Sequence, residues 1–124
     1  MFINEWMAAN TGSVSDPADG HFDDWFELFN AGPTPVDLSG YTLTDTLTNK
    51  TLFTIPTGYS VPAGGYLLVW ADQDTSQNTT NSPDLHAGFK LSQAGEAIGL
   101  FAPDGTTIDT VTFGVQTNDV SQGR

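Results

Sequence analysis

Phe22-Asp23-Asp24-Trp25-Phe26-Glu27-Leu28-Phe29-Asn30-Ala31-Gly32 is the stretch that decides the fold. A run rich in aromatic residues sits directly behind two carboxylates and stops at Asn-Ala-Gly, a turn composition. The continuation Pro35-Val36-Asp37-Leu38-Ser39-Gly40-Tyr41-Thr42-Leu43 makes it two short strands joined by a loop. The same grammar runs outward in both directions. Thirteen glycines and seven prolines punctuate short runs rich in Thr, Val, Phe and Tyr, and helical periodicity is almost absent. This is the pattern of an all-β sandwich or barrel. It predicts strands at 2–8, 24–30, 38–45, 51–55, 65–71, 87–91, 96–102 and 106–114.

Three of these carry further detail. Gly65-Tyr66-Leu67-Leu68-Val69-Trp70-Ala71 is apolar on both alternating faces, which predicts a central strand covered on both sides. Pro62-Ala63-Gly64-Gly65 is the turn that starts it. Pro103-Asp104-Gly105 lies between two strand runs and reads as a hairpin, with proline presetting the turn and glycine supplying positive φ. In the last strand the alternation slips between Ile108 and Val111, as a bulge would make it do.

At 124 residues the chain has the size of one ordinary domain, 1–124, with enough surface to bury for a single core. Its ends lead us to expect a domain cut from a longer protein. Cysteine is absent, which removes disulfides and thiolate metal sites and suits a domain that folds after export. No apolar run approaches the ~20 residues of a membrane span, so no membrane insertion is expected. Fifteen carboxylates face three Lys/Arg, for a net charge of −12, and at least twelve carboxylates therefore lack a private cationic partner. Such a surface repels phosphate backbones and argues against nucleic acid as a partner. It attracts hard cations, or it simply keeps the domain dispersed in solvent.

The densest group of oxygens is in the acidic loop 10–21 and the start of the strand behind it. Asp16, Asp19, Asp23 and Asp24 are the candidate ligands for Ca²⁺, which takes six to eight oxygens from loop carboxylates and carbonyls. The alternative is a solvated loop whose Asp side chains cap turns. A second polar loop, 72–84, alternates oxygen-bearing side chains in Asp72-Gln73-Asp74-Thr75-Ser76-Gln77-Asn78. It has Gln77 where an EF-hand has glycine and Pro83 where it has glutamate, so a flexible loop is the better reading.

Glu5 and Glu27 each sit between apolar residues in a predicted strand. Two inward carboxylates could meet and would form the apparatus of glycoside hydrolysis; on an exposed face they would be ordinary acceptors. His21 and His86 are isolated in sequence, and a lone histidine is more often a hydrogen-bonded structural residue. No serine, cysteine or lysine has the context of a nucleophile, and no glycine-rich phosphate loop precedes a helix. Trp6, Trp25, Trp70, Tyr41 and Tyr66 fall in predicted strands, where core packing is the expected use, although exposed rings could stack on sugars.

Several blocks, in order, resemble the lamin tail domain family. They are Asp24-Trp25-Phe26-Glu27-Leu28-Phe29-Asn30, Val36-Asp37-Leu38-Ser39-Gly40-Tyr41, Pro62 to Asp72, Leu85-His86-Ala87-Gly88-Phe89-Lys90-Leu91-Ser92, Gly95-Glu96-Ala97-Ile98 and Val111-Thr112-Phe113-Gly114. The resemblance implies an immunoglobulin-like antiparallel β-sandwich. It also implies the form found in bacterial surface and secreted proteins, since the chain lacks the heptad rod and basic surface of the nuclear form. The expected function is a non-catalytic binding or adhesion module, extracellular or at the bacterial cell surface, set among neighbouring domains and binding a protein or glycan. A carboxylate-dependent glycoside hydrolase and a purely structural spacer are the alternatives.

Overall fold

The computed structural model describes residues 1–78 and 84–123. Five strands form one sheet in the order β11-β1-β2-β7-β8, from β1 (Phe2–Met7), β2 (Asp24–Phe29), β7 (Tyr66–Ala71), β8 (Leu85–His86) and β11 (Gln122–Gly123). A second sheet has the order β10-β9-β4-β5, from β4 (Thr42–Thr44), β5 (Phe53–Thr54), β9 (Glu96–Phe101) and β10 (Thr107–Phe113). The short strands β3 (Val36–Asp37) and β6 (Ser60–Val61) pair with each other. The only helical element among the described residues is a three-residue 3-10 turn at Thr75–Gln77. Among the described residues, no helix is long and apolar enough to cross a membrane.

Alternation along the strands builds the sandwich. Ile3, Trp6, Phe26, Leu28, Leu67 and Val69 of the first sheet share one core cluster with Leu43, Phe53, Ile98, Leu100, Val111 and Phe113 of the second. In the first sheet, the alternate residues of β1, β2 and β7 point the opposite way, onto the outer face of the five-stranded sheet. That face is ordered in rows by the register of β1, β2 and β7: Phe2, Phe29 and Tyr66; then Glu5, Glu27 and Leu68; then Met7, Trp25 and Trp70. The third row is itself buried and forms a second, small core with Leu68 against it. The expected two-sided burial of 65–71 therefore holds for Trp70 and Ala71, whereas Tyr66 at the other end is 56% exposed.

The turns follow local chemistry. Gly65 N–H donates to Pro62 O at 2.9 Å, and Gly64 has φ +68°. In the β9–β10 hairpin, Gly105 has φ +88° and donates to Ala102 O at 2.9 Å. Asn30, which ends β2, is buried. Its Nδ2 donates to Thr34 O and Val61 O, and its Oδ1 accepts from Gly32 N–H. One amide thus holds the loop after β2 and ties it to β6.

The structure departs from the predicted strands at several points. The 38–45 and 51–55 runs contract to Thr42–Thr44 and Phe53–Thr54. The predicted strand 87–91 does not form. Pairing there is confined to Leu85–His86, which runs parallel to β7 in an otherwise antiparallel architecture. Beyond it the chain turns Phe89 and Leu91 into the core, leaving one isolated bridge between Lys90 and Asp72. The β9–β10 register shifts between Thr107 and Asp109, at the near edge of the slip seen in the sequence. A further shift, unannounced by the sequence, lies between Ile3 and Glu5. Residues 79–83, including Pro83 of the second polar loop, and Arg124 lie outside the described residues.

Candidate metal centre and outer sheet face

The acidic loop is folded onto the end of the five-stranded sheet. Asn10 organises it: Oδ1 accepts from Ser13 and Val14 N–H, while Nδ2 donates to Val14 O and Asp23 O. Asp119, from the far end of the chain, accepts from the N–H groups of Thr11, Gly12 and Ser13 and from the Thr11 hydroxyl. Within the loop, Asp16 N–H donates to His21 O and Gly20 N–H to Asp16 O, both at 2.7 Å, with Gly20 at φ +75°.

Three aspartates then repeat one arrangement. Asp16, Asp19 and Asp72 each use Oδ1 to accept the N–H two residues on, from Ala18, His21 and Asp74. Their Oδ2 atoms are left for other partners. Asp72 Oδ2 lies 2.8 Å from His86 Nδ1, Asp19 Oδ2 accepts from Gln77 Nε2 at 2.7 Å, and Asp16 Oδ2 has no hydrogen bond. Asp16 Oδ2 is 3.5 Å from the same His86 Nδ1, and Asp16, Asp72 and His86 side chains are all buried. Asp23 completes the group: Asp16, Asp19, Asp23 and Asp72 each offer an oxygen within 4.8 Å of the other three.

The electrostatics follow from this crowding. Burial pushes the Asp16 carboxyl above its usual range, against the Ala18 N–H and His86, which pull it down. Burial does the same to Asp23, reinforced by Asp72 and Asp19. Asp19 goes the other way, because the Gln77 amide and the His21 N–H favour its charged form. Among the described residues, the ion pairs made by Asp16, Asp19 and Asp72 are all to histidines.

Of the four expected ligands, the structure brings together Asp16, Asp19 and Asp23, and replaces Asp24 by Asp72. Successive residues of an extended chain point to opposite sides, so Asp24 cannot accompany Asp23. Its Oδ1 accepts from Asn10 N–H at 3.1 Å, and burial raises its pKa. The sequence weighs Asp72 only as the first position of the 72–78 run, apart from the acidic loop, and His86 is isolated in sequence. Only the parallel pairing of β7 and β8, with Trp70 opposite His86, sets them side by side. The 72–78 segment is tied down, contrary to the flexible loop expected. Asn78 Oδ1 accepts from His86 N–H and Asn78 Nδ2 donates to His86 O, so a side-chain amide stands in for a strand.

Glu5 and Glu27 do meet, directly opposite each other on β1 and β2, on the outer face rather than in the core. Both are half-buried; Glu27 Oε1 accepts from Asn4 Nδ2, and Glu5 Oε2 from Ser121 Oγ. Beside them runs an aromatic row: Phe2 and Phe29 in an edge contact at 5.2 Å, Phe29 and Tyr66 stacked at 4.7 Å. The three tryptophans are buried, as expected, and Tyr59, unplaced by the sequence, is buried with its hydroxyl on Asn78 Oδ1.

Comparison with known proteins agrees with this architecture. A search of curated proteins gives no match. The family model of the Lamin Tail Domain matches residues 1–114, which span every strand of both sheets except β11. Domains of this family are immunoglobulin-like and generally not catalytic. The chain belongs to the lamin tail domain family.

Proposed function

We propose that the domain is a non-catalytic binding module of an exported bacterial protein, and that it takes its ligand on the outer face of the five-stranded sheet. The observation that carries this is the row of Phe2, Phe29 and Tyr66 at one end of that face, with the Glu5 and Glu27 acceptors in the next row. Most of the domain's aromatic surface is spent on the core, and Tyr66 is not. An apolar ring edge beside hydrogen-bond acceptors suits a glycan or a protein surface. Nucleic acid is disfavoured by the net charge of −12.

The test is a glycan array and a pull-down with the isolated domain, repeated with Tyr66→Ala. Loss of an exposed aromatic anchor should weaken binding by roughly tenfold or more, with an unchanged circular dichroism spectrum. A domain that binds nothing in either format is a spacer.

The juxtaposition of Glu5 and Glu27 favours a second reading. Side chains directly opposite on neighbouring strands have Cβ atoms about 4.5–5.5 Å apart, which is compatible with the carboxylate pair of a retaining glycosidase. Turnover of a carbohydrate panel that disappears in Glu27→Gln would establish it. Absence of turnover leaves the binding reading.

A further inference from the structure

We propose that Asp16, Asp19, Asp23 and Asp72 form a Ca²⁺ site that clamps the acidic loop to the end of the five-stranded sheet. The argument begins with distance. One oxygen from each of the four lies within 4.8 Å of the others. Two oxygens bound to one ion at about 2.4 Å can be no farther apart than about 4.8 Å, so the four separations meet the condition that sharing one ion requires.

The second observation is Asp16 itself. Its side chain is completely buried, and Oδ2 makes no hydrogen bond. That oxygen faces His86 Nδ1, which Asp72 already engages at the shorter distance of 2.8 Å, so it is turned into the group rather than away from it. A buried carboxylate oxygen without a partner is costly. A cation bound among the four carboxylates supplies the close partner that the chain, with His86 Nδ1 at 3.5 Å, does not. Three of the Oδ1 atoms are already held by backbone N–H groups, which fixes the carboxylates in place before an ion arrives. The basic side chains that face the cluster are His21, His86 and Lys90.

The donor set selects the ion. All four ligands are carboxylate oxygens, which suit a hard cation, and no thiolate exists in the chain. The oxygens come from an irregular loop and a strand end, a framework that tolerates the variable coordination of Ca²⁺ better than the strict octahedron of Mg²⁺. His86 holds Asp72 from the side and is not one of the four ligands.

The experiment uses the full chain and CaCl₂ as the probe. Mass action raises the melting temperature by roughly 10 °C when Ca²⁺ is a hundredfold above its dissociation constant. Chelation by EDTA reverses the rise, and MgCl₂ at the same concentration gives less. Asp16→Asn and Asp72→Asn abolish the response, while Asp104→Asn, in the β9–β10 turn, retains it. In EDTA, Asp16→Asn melts no lower than the parent, because it removes a buried charge. Should a buried variant fail to fold, Asp23→Asn, at a half-buried position, is expected to weaken Ca²⁺ at least tenfold in calorimetry. Tb³⁺ offers an independent readout through emission sensitised by nearby tryptophan, competed away by Ca²⁺. An unchanged melting curve in Ca²⁺ and EDTA, with no sensitised Tb³⁺ emission, overturns the proposal. A Ca²⁺ response that survives Asp16→Asn and Asp72→Asn overturns this location. A response to ZnCl₂ alone overturns the choice of ion.

Discussion

Replacing Gly95 by alanine separates two costs that are usually confounded. Gly95 closes the turn into β9, where its N–H donates to Ser92 O and the Glu96 carboxylate accepts from Ser92 N–H. Its φ is +115°, and a methyl group on its Cα would lie 2.8 Å from Phe113 O and 3.0 Å from Gly114 Cα. Both are backbone atoms of the partner strand's end, opposite Glu96, so neither can swing aside. Gly58 has a similar φ of +104°, but nothing within 4 Å of the same added methyl. Backbone strain of about 1–3 kcal/mol applies to both substitutions. Overpacking, about 1–3 kcal/mol more, applies only to Gly95. Gly58→Ala should therefore cost about 1–3 kcal/mol and Gly95→Ala about 2–6 kcal/mol. Urea unfolding followed by tryptophan fluorescence, with linear extrapolation at a shared slope, measures the difference. If the two variants lose the same stability within about 0.5 kcal/mol, the register at the start of the β9–β10 pair is not as described.

Two further outcomes follow from the hydrogen-bond pattern. Asn30→Ala strands two carbonyls and one N–H at the end of β2; it should cost about 1–3 kcal/mol, read by calorimetric melting, and speed proteolysis in the 31–35 loop. Asp119 has its pKa held below the usual carboxylate value, first by the Thr11 hydroxyl and then by the Gly12 and Thr11 N–H groups. A folded pKa below the unfolded one means that this contribution is complete above the unfolded value, near pH 4, and fades as pH falls through the folded value. The stability gap between the parent and Asp119→Asn should therefore shrink between pH 6 and pH 3; a constant gap contradicts the assignment, as does an NMR midpoint for Asp119 at the ordinary aspartate value.

What could be read from the sequence was whatever a few adjacent residues decide by themselves. Proline and glycine placed the turns at Pro62–Gly65 and Pro103–Gly105, and the aromatic run placed β2 with Asn30 at its end. Glu5 was not legible. In strict alternation it shares a face with Ile3; the register shift between them carries it to the outer face instead. Glu27 was open to both readings for a different reason. Its apolar neighbours Trp25 and Phe29 do share its face, but that face is the outer one, where a second small core covers Trp25. The acidic loop announced Asp16, Asp19 and Asp23 by density alone. Asp72 and His86 come from a parallel pairing of β7 and β8, which no local pattern encodes, and Asp24 is excluded by the alternation of an extended chain.

The strand order also governs the sequence of events in assembly. The central three strands of the five-stranded sheet, β1, β2 and β7, are complete once the chain has reached Ala71. The other sheet cannot close then, because β4 has only β5 beside it until β9 is made, and β9 pairs with β10, which ends at Phe113. On a growing chain, Leu43 and Phe53 thus wait without their layer while the rest is made. Non-local pairing of this kind makes folding slow and leaves apolar edges open in the interval. The excess of carboxylates then serves a nascent chain as well as a finished one, since mutual repulsion keeps half-built copies apart.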